Sequence, residues 1–111
     1  MQKKQSEKDF YTQKAKKEGY RSRAAYKLKE IQKRHHIIRK GDTVVDLGAA
    51  PGSWLQVVRT LTEGRVVGVD LNPIVPIEGV ETRVGDFSLP ELQVGQQMGN
   101  VDGELQVARF P

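Results

Sequence analysis

Residues 43–52 read TVVDLGAAPG, and this stretch decides the fold. Val44, Val45 and Leu47 are strand formers in a short apolar run that ends on a carboxylate, Asp46, before the chain turns through small residues. Gly48 and Gly52 supply the backbone freedom for a tight bend, so a ligand can approach bare peptide there. A buried strand, a glycine-rich turn and a helix start together predict the ligand-side crevice of an open α/β sheet, beyond the carboxyl ends of parallel strands.

The spacing then narrows the ligand. A dinucleotide site needs G-x-G-x-x-G, its middle glycine placed against a pyrophosphate. Here the string is Gly48-Ala49-Ala50-Pro51-Gly52, which lacks that glycine and puts a proline in the turn. The pattern Asp46-x-Gly48-x-x-x-Gly52 is instead similar to the first motif of S-adenosylmethionine (SAM) methyltransferases. Their ligand carries no phosphate, and its amino-acid end needs backbone and carboxylate partners. The plain alternative is a turn that joins a buried strand to a helix and binds nothing.

Outward from this stretch, 111 residues with 37% hydrophobic and 29% charged side chains suit one domain with one core. There is no cysteine, which excludes a disulfide framework and a thiolate metal site. No apolar run approaches membrane-spanning length and the N-terminus has no apolar signal core, so a cytoplasmic protein without membrane or metal partners is expected. The net charge of +4 hides an asymmetry. Residues 1–40 hold fourteen Lys/Arg against four Asp/Glu, whereas residues 41–111 hold four against ten. A basic helical segment, 1–40, joined to an acidic nucleotide-type unit, 41–111, suits a protein that holds a polyanion beside a small-molecule site.

In chain order, 6–18 reads as a polar surface helix ended by Gly19. Ser22 reads as the N-cap of a second helix, 23–36, with Ala24, Leu28 and Ile31 as its buried stripe and Arg23, Lys27, Glu30 and Arg34 on a neighbouring face. His35 and His36 are adjacent and point about 100° apart, so they cannot chelate one metal as an i, i+4 pair would. Residues 53–61 form the helix after the glycine bend, with Leu55, Val58 and Leu61 toward the sheet and Gly64 closing it. Residues 65–71 form a second buried strand, parallel to the first. Its terminal Asp70 stands where a carboxylate accepts hydrogen bonds from ribose hydroxyls. Residues 72–79, with Pro73 and Pro76, are a loop. Residues 80–84 are a third strand, and Asp86 follows at the rim where an adenine amine would lie. Residues 93–103 are polar and glycine-rich, and only 104–110 hints at another strand.

Four stretches carry a resemblance: Arg21 to Leu28 (RSRAAYKL), Asp46 to Trp54 (DLGAAPGSW), Val69-Asp70-Leu71 and Gly85-Asp86-Phe87. In this order and spacing they resemble the FtsJ/RrmJ family of ribosomal RNA large-subunit methyltransferases, from about residue 10 to residue 90. The resemblance implies an α/β, Rossmann-like SAM-dependent methyltransferase fold, here its N-terminal part, preceded by basic helices. It implies methyl transfer from SAM to a ribose 2′-hydroxyl, with a uridine of 23S ribosomal RNA, alone or within the large subunit, as substrate and transfer RNA as the next candidate. It assigns SAM contacts to Asp46, Gly48, Ala49, Pro51, Gly52, Trp54, Asp70, Leu71, Asp86 and Phe87. Lys27 matches the first member of the family's Lys-Asp-Lys-Glu catalytic set. Without the resemblance Lys27 is one more lysine on a basic helix, and Trp54 a residue packing helix on sheet.

Family members continue into a strand ending in a Ser-Asp-x-x-Pro-Asn-like motif, which is not found after Pro90. The expectation is therefore a shortened or frameshifted member, inactive alone, whose non-catalytic alternative is an RNA- or SAM-binding fragment. A further expectation is that the first strand, central in the family sheet, is left as an unpaired apolar edge through which copies associate.

Overall fold

The computed structural model describes residues 3–85, 97–101 and 105–109. Helix α1 (Lys3–Glu18) and helix α2 (Ala24–His35) precede strand β1 (Thr43–Leu47), helix α3 (Ser53–Leu61), and strands β2 (Val66–Asp70), β3 (Glu81–Val84), β4 (Gln97–Val101) and β5 (Leu105–Ala108). The sheet runs β3-β2-β1-β5-β4. β1, β2 and β3 are parallel, with Val44 opposite Val66 and Val67 opposite Glu81. This mixed α/β sheet is the expected fold class, and the β1-α3-β2 unit stands within one residue of its expected bounds.

The core forms where the apolar periodicity requires. Leu55 and Val58 of α3 are fully buried against Val44 and Val66 of the sheet, together with Ala25 and Leu28 of α2. Each of these leucine and valine side chains contributes about 1.5–3 kcal/mol on burial. Val45, Val67 and Val69 form a second, smaller cluster, because successive strand residues alternate faces. Helix α2 differs in phase from its reading: Ala24 is exposed and Ala25 buried, with Ile31 half-buried. It starts one residue late, so that Arg23 rather than Ser22 is its N-cap, without a side-chain cap bond, and Ser22 Oγ accepts the Ala24 N–H at 3.3 Å. It ends at His35, and His36 takes the left-handed conformation (φ 47°) to donate to the Gln32 carbonyl.

Two expectations fail at the other side of β1. β1 is not an open edge, because β5 pairs with it antiparallel, Val44 opposite Val107. β5 is in turn paired with β4, which lies inside the stretch read as loop. Leu105, Val107 and Ala108 are buried, so the hint of alternation at 104–110 marks a true strand whose direction the sequence did not reveal. Strand pairing overrides the polar, glycine-rich composition of 93–103, within which 97–101 lies. With both sides of β1 occupied, the expected route to self-association through that strand is closed. Arg109 fastens the new strand: its Nε donates to the buried carboxylate of Asp42 at 2.7 Å and its Nη2 to the Ile37 carbonyl at 2.8 Å.

Among the described residues no helix is long and apolar enough to cross a membrane, and no group of three or more His, Cys, Asp or Glu is placed to hold a metal. The α3–β2 turn is closed by Thr62, the C-cap, rather than by Gly64. Gly64 is required for a different reason: a Cβ there would lie 2.2 Å from the Asp42 carbonyl oxygen. Gly41 has open space at the same point. Gly64→Ala is therefore expected to cost about 1–3 kcal/mol, as overpacking against backbone does, with Gly41→Ala within about 0.5 kcal/mol of the parent. Urea denaturation of the two variants checks this.

Candidate functional site: a cleft at the glycine bend

The bend after β1 is fixed by β2. Gly48 N–H and Ala49 N–H both donate to the Val69 carbonyl, at 2.8 and 3.0 Å, and Ala50 N–H donates to Asp70 Oδ2 at 3.0 Å. Gly48 (φ 75°) and Gly52 (φ 112°) take conformations that side chains disfavour, and the Ala50–Pro51 peptide is cis. The chain then enters α3 at Ser53 with no side-chain cap on its first turn. Its first N–H groups thus lack an intrahelical acceptor.

Lys27, Asp46, Gly48, Ala49, Pro51 and Trp54 line one cleft of about 290 Å³, with Ser22, Ala24, Ala50 and Ser53 completing its wall. Six of the eleven residues expected at the site are thereby brought together from three separate elements. The Asp46 carboxylate is 1% exposed. Trp54 has a structural task as well as a wall position: its Nε1 donates to the Ala24 carbonyl at 2.8 Å, tying α3 to α2 beside Lys27. Ser22 Oγ and Ser53 Oγ share a hydrogen bond of 2.7 Å across the same seam.

The remaining expected residues are placed differently. Gly52 turns its back on the cleft, since a Cβ there would meet Arg21 Nη1 at 3.0 Å and Ile77 Cδ1 at 3.1 Å. Asp70 supports the bend from the neighbouring strand, its second oxygen accepting the Asn72 N–H at 2.8 Å. Leu71 lies beyond it, 71% exposed. Asp86 and Phe87 lie outside the described residues.

Sequence reasoning gave Arg21 no role, yet it holds the bend. Its Nη1 donates to the carbonyls of Pro51 (2.8 Å) and Val75 (2.6 Å), and its Nη2 to that of Pro76 (3.0 Å). Its own N–H donates to Gln56 Oε1 at 2.9 Å, and Gln56 Nε2 reaches the Gly19 carbonyl at 3.1 Å. The signal was its place beside Ser22 in the RSRAAYKL stretch. Next to Lys27, the Tyr26 hydroxyl donates to Glu18. Burial, followed by the hydrogen bond and charge of Glu18, pushes it up to about 12, so at neutral pH it stays a phenol and ties α1 to α2.

Against known proteins, residues 20–103 match the FtsJ-like methyltransferase family. This chain belongs to that family. It is 65% identical over 96 residues to the "Ribosomal RNA large subunit methyltransferase E" of Methanoculleus marisnigri, covering 85% of this chain and 47% of that protein. It is 60% identical over 100 residues to the protein of the same description from Methanosphaerula palustris, covering 90% and 48%. The chain thus spans about half the length of these curated relatives. A crystal structure described as a ribosomal RNA methyltransferase from Plasmodium falciparum superposes with a TM-score of 0.57 at 32% identity, over 67% of this chain and 42% of that one.

The forked guanidinium of Arg21 reaches three carbonyls where an ammonium would reach fewer. Arg21→Lys is expected to lower stability by about 1–2 kcal/mol and to speed amide hydrogen exchange at Gly52–Gln56 more than at β1. Equal acceleration in both segments would show that Arg21 acts on global stability alone.

Proposed function

We propose that this chain supplies the methyl-donor half of a SAM-dependent RNA methyltransferase acting on a ribose 2′-hydroxyl, with a uridine of large-subunit (23S) ribosomal RNA as substrate and the cytoplasm as its place of work. In this reading residues 41–111 hold the donor and residues 1–40 face RNA. The observation that carries it is the single cleft joining Lys27 to Asp46, the glycine bend and Trp54.

The donor set suits SAM. A buried carboxylate complements the cationic ammonium of its amino-acid end, and the uncapped first turn of α3 offers N–H groups to the carboxylate of that end. Trp54 and Ala49 give apolar wall to the thioether arms. A volume of about 290 Å³ is at the low end for a whole ligand of this size, so the cleft takes the amino-acid and sulfonium end. The ribose and adenine then extend past Asp70 and Leu71. Both Asp70 oxygens accept one backbone N–H, and each retains a lone pair for a ribose hydroxyl.

SAM, when bound, supplies a methyl group on a sulfonium leaving group. The chain's part is orientation and charge. Lys27 is exposed on α2 at the cleft mouth, where a cation favours the anionic form of a ribose hydroxyl that is a poor nucleophile at neutral pH. One lysine from a set that acts as a unit gives little transfer on its own, and the 111-residue chain is expected to bind SAM with transfer at or below background.

Calorimetric titration tests the donor site. SAM is expected to bind the chain, Asp46→Asn to weaken it at least tenfold, and NAD to show no heat at the same concentrations. Binding of SAM unaffected by Asp46→Asn, or tighter binding of NAD, would end this reading.

A further inference from the structure

A second, wider depression of about 1200 Å³ lies along the seam of α1 and α2. Ser22, Ala24 and Lys27 line both hollows, so they meet at Lys27. Lys14, Arg23, Lys29 and Lys33 add positive charge to the seam. Its one acidic lining residue, Glu30, is already paired with Arg34 at 2.9 Å. Phosphate is the complement of such a wall.

Aromatic rings alternate with these cations. Tyr11 stands 5.4 Å from Tyr26, and Lys14 Nζ lies 4.9 Å from the Tyr26 ring centre. That packing docks α1 on α2. It does not account for Phe10, which touches Tyr11 edge-on at 5.1 Å and remains 60% exposed, nor for the outer face of Tyr11, 40% exposed. α1 buries Ala15 for its own packing. Tyr11 lines the basic hollow and Phe10 stands exposed beside it, and two neighbouring exposed rings at the edge of a basic hollow have the make-up of a base-stacking platform.

We propose that the α1–α2 seam binds an unpaired RNA strand, with phosphates along Arg23, Lys29 and Lys33, bases stacked on Phe10 and Tyr11, and the strand leading a ribose to Lys27. This rests on the methyltransferase reading for what happens at Lys27, but the seam itself stands on its own residues. An unpaired strand is favoured over a duplex because paired bases offer no free face to the rings, and a duplex would use the phosphate-binding cations alone.

Fluorescence anisotropy of the 111-residue chain with a labelled RNA of about 12 nucleotides, within the span of a stacking groove, decides the matter when the RNA is offered single-stranded or annealed to its complement. The single strand is expected to bind more tightly than the duplex. Phe10→Ala with Tyr11→Ala should weaken the single strand about tenfold or more and the duplex little. Lys29→Ala with Lys33→Ala should flatten the slope of log affinity against log salt by about 0.7 for each phosphate left without its cation. Where circular dichroism shows the double aromatic variant to have lost helix, the exposed Phe10→Ala alone serves, with a several-fold weakening expected. Equal or tighter duplex binding, or single-strand affinity unchanged by the aromatic variant, overturns the proposal. SAM titration of the same variants should give parent-like heats. RNA binding as expected without any SAM binding would remove the proposed activity and leave the seam standing; SAM binding without RNA binding would do the reverse.

Discussion

The structure depends on how tightly one strand end can be made to turn. Between Leu47 and Ser53 the backbone must leave a buried sheet, turn through a tight bend and start a helix, and its polar groups need partners throughout. β2 meets the first need with the Val69 carbonyl and the Asp70 carboxylate, which take three consecutive N–H groups from Gly48, Ala49 and Ala50. Arg21 meets the second by holding the Pro51 carbonyl from the opposite side. The bend is thus clamped between a parallel strand and the α1–α2 turn. A parallel neighbour is what makes this possible, because it brings two strand ends to the same edge of the sheet.

Asp46 shows which way the compromise was struck. Val44 and Val45 beside it contribute to core packing, whereas a carboxylate at 1% exposure is costly to desolvate. In the proposed function the cationic ammonium of SAM complements that charge, and stability is given up for binding where the two conflict.

The parts of the fold written in short-range pattern were legible. Alternation and apolar runs located β1, β2 and β3, and three-residue steps located α3 with Leu55 and Val58 inward. The parts that depend on pairing between distant segments were not. Nothing in QMGNV shows that it lies beside Leu105–Ala108, and nothing in LQVA shows that it runs antiparallel to β1. Helix phase was legible to within one position, the shift from Ala24 to Ala25, because two adjacent alanines carry no information on which one packs. At the site, Asp46, Gly48 and Lys27 were visible as motif members. Arg21 was missed because its three carbonyl acceptors lie 30 to 55 residues away and acceptors on the backbone leave no trace in composition.

The short turn between α1 and α2 belongs to both hollows. Ser22 and Lys27 line each of them, Arg21 holds the bend, and Trp54 of α3 is bonded to Ala24. In the proposed function, a ligand that steadies this turn from the basic seam acts on residues that also line the donor cleft, and the converse holds equally. Linkage requires any such effect to be reciprocal: whatever factor RNA adds to the affinity for the donor, the donor adds to the affinity for RNA. Because the two hollows share Ser22, Ala24 and Lys27, in the proposed function that coupling has a direct physical path through those residues and needs no movement of the sheet.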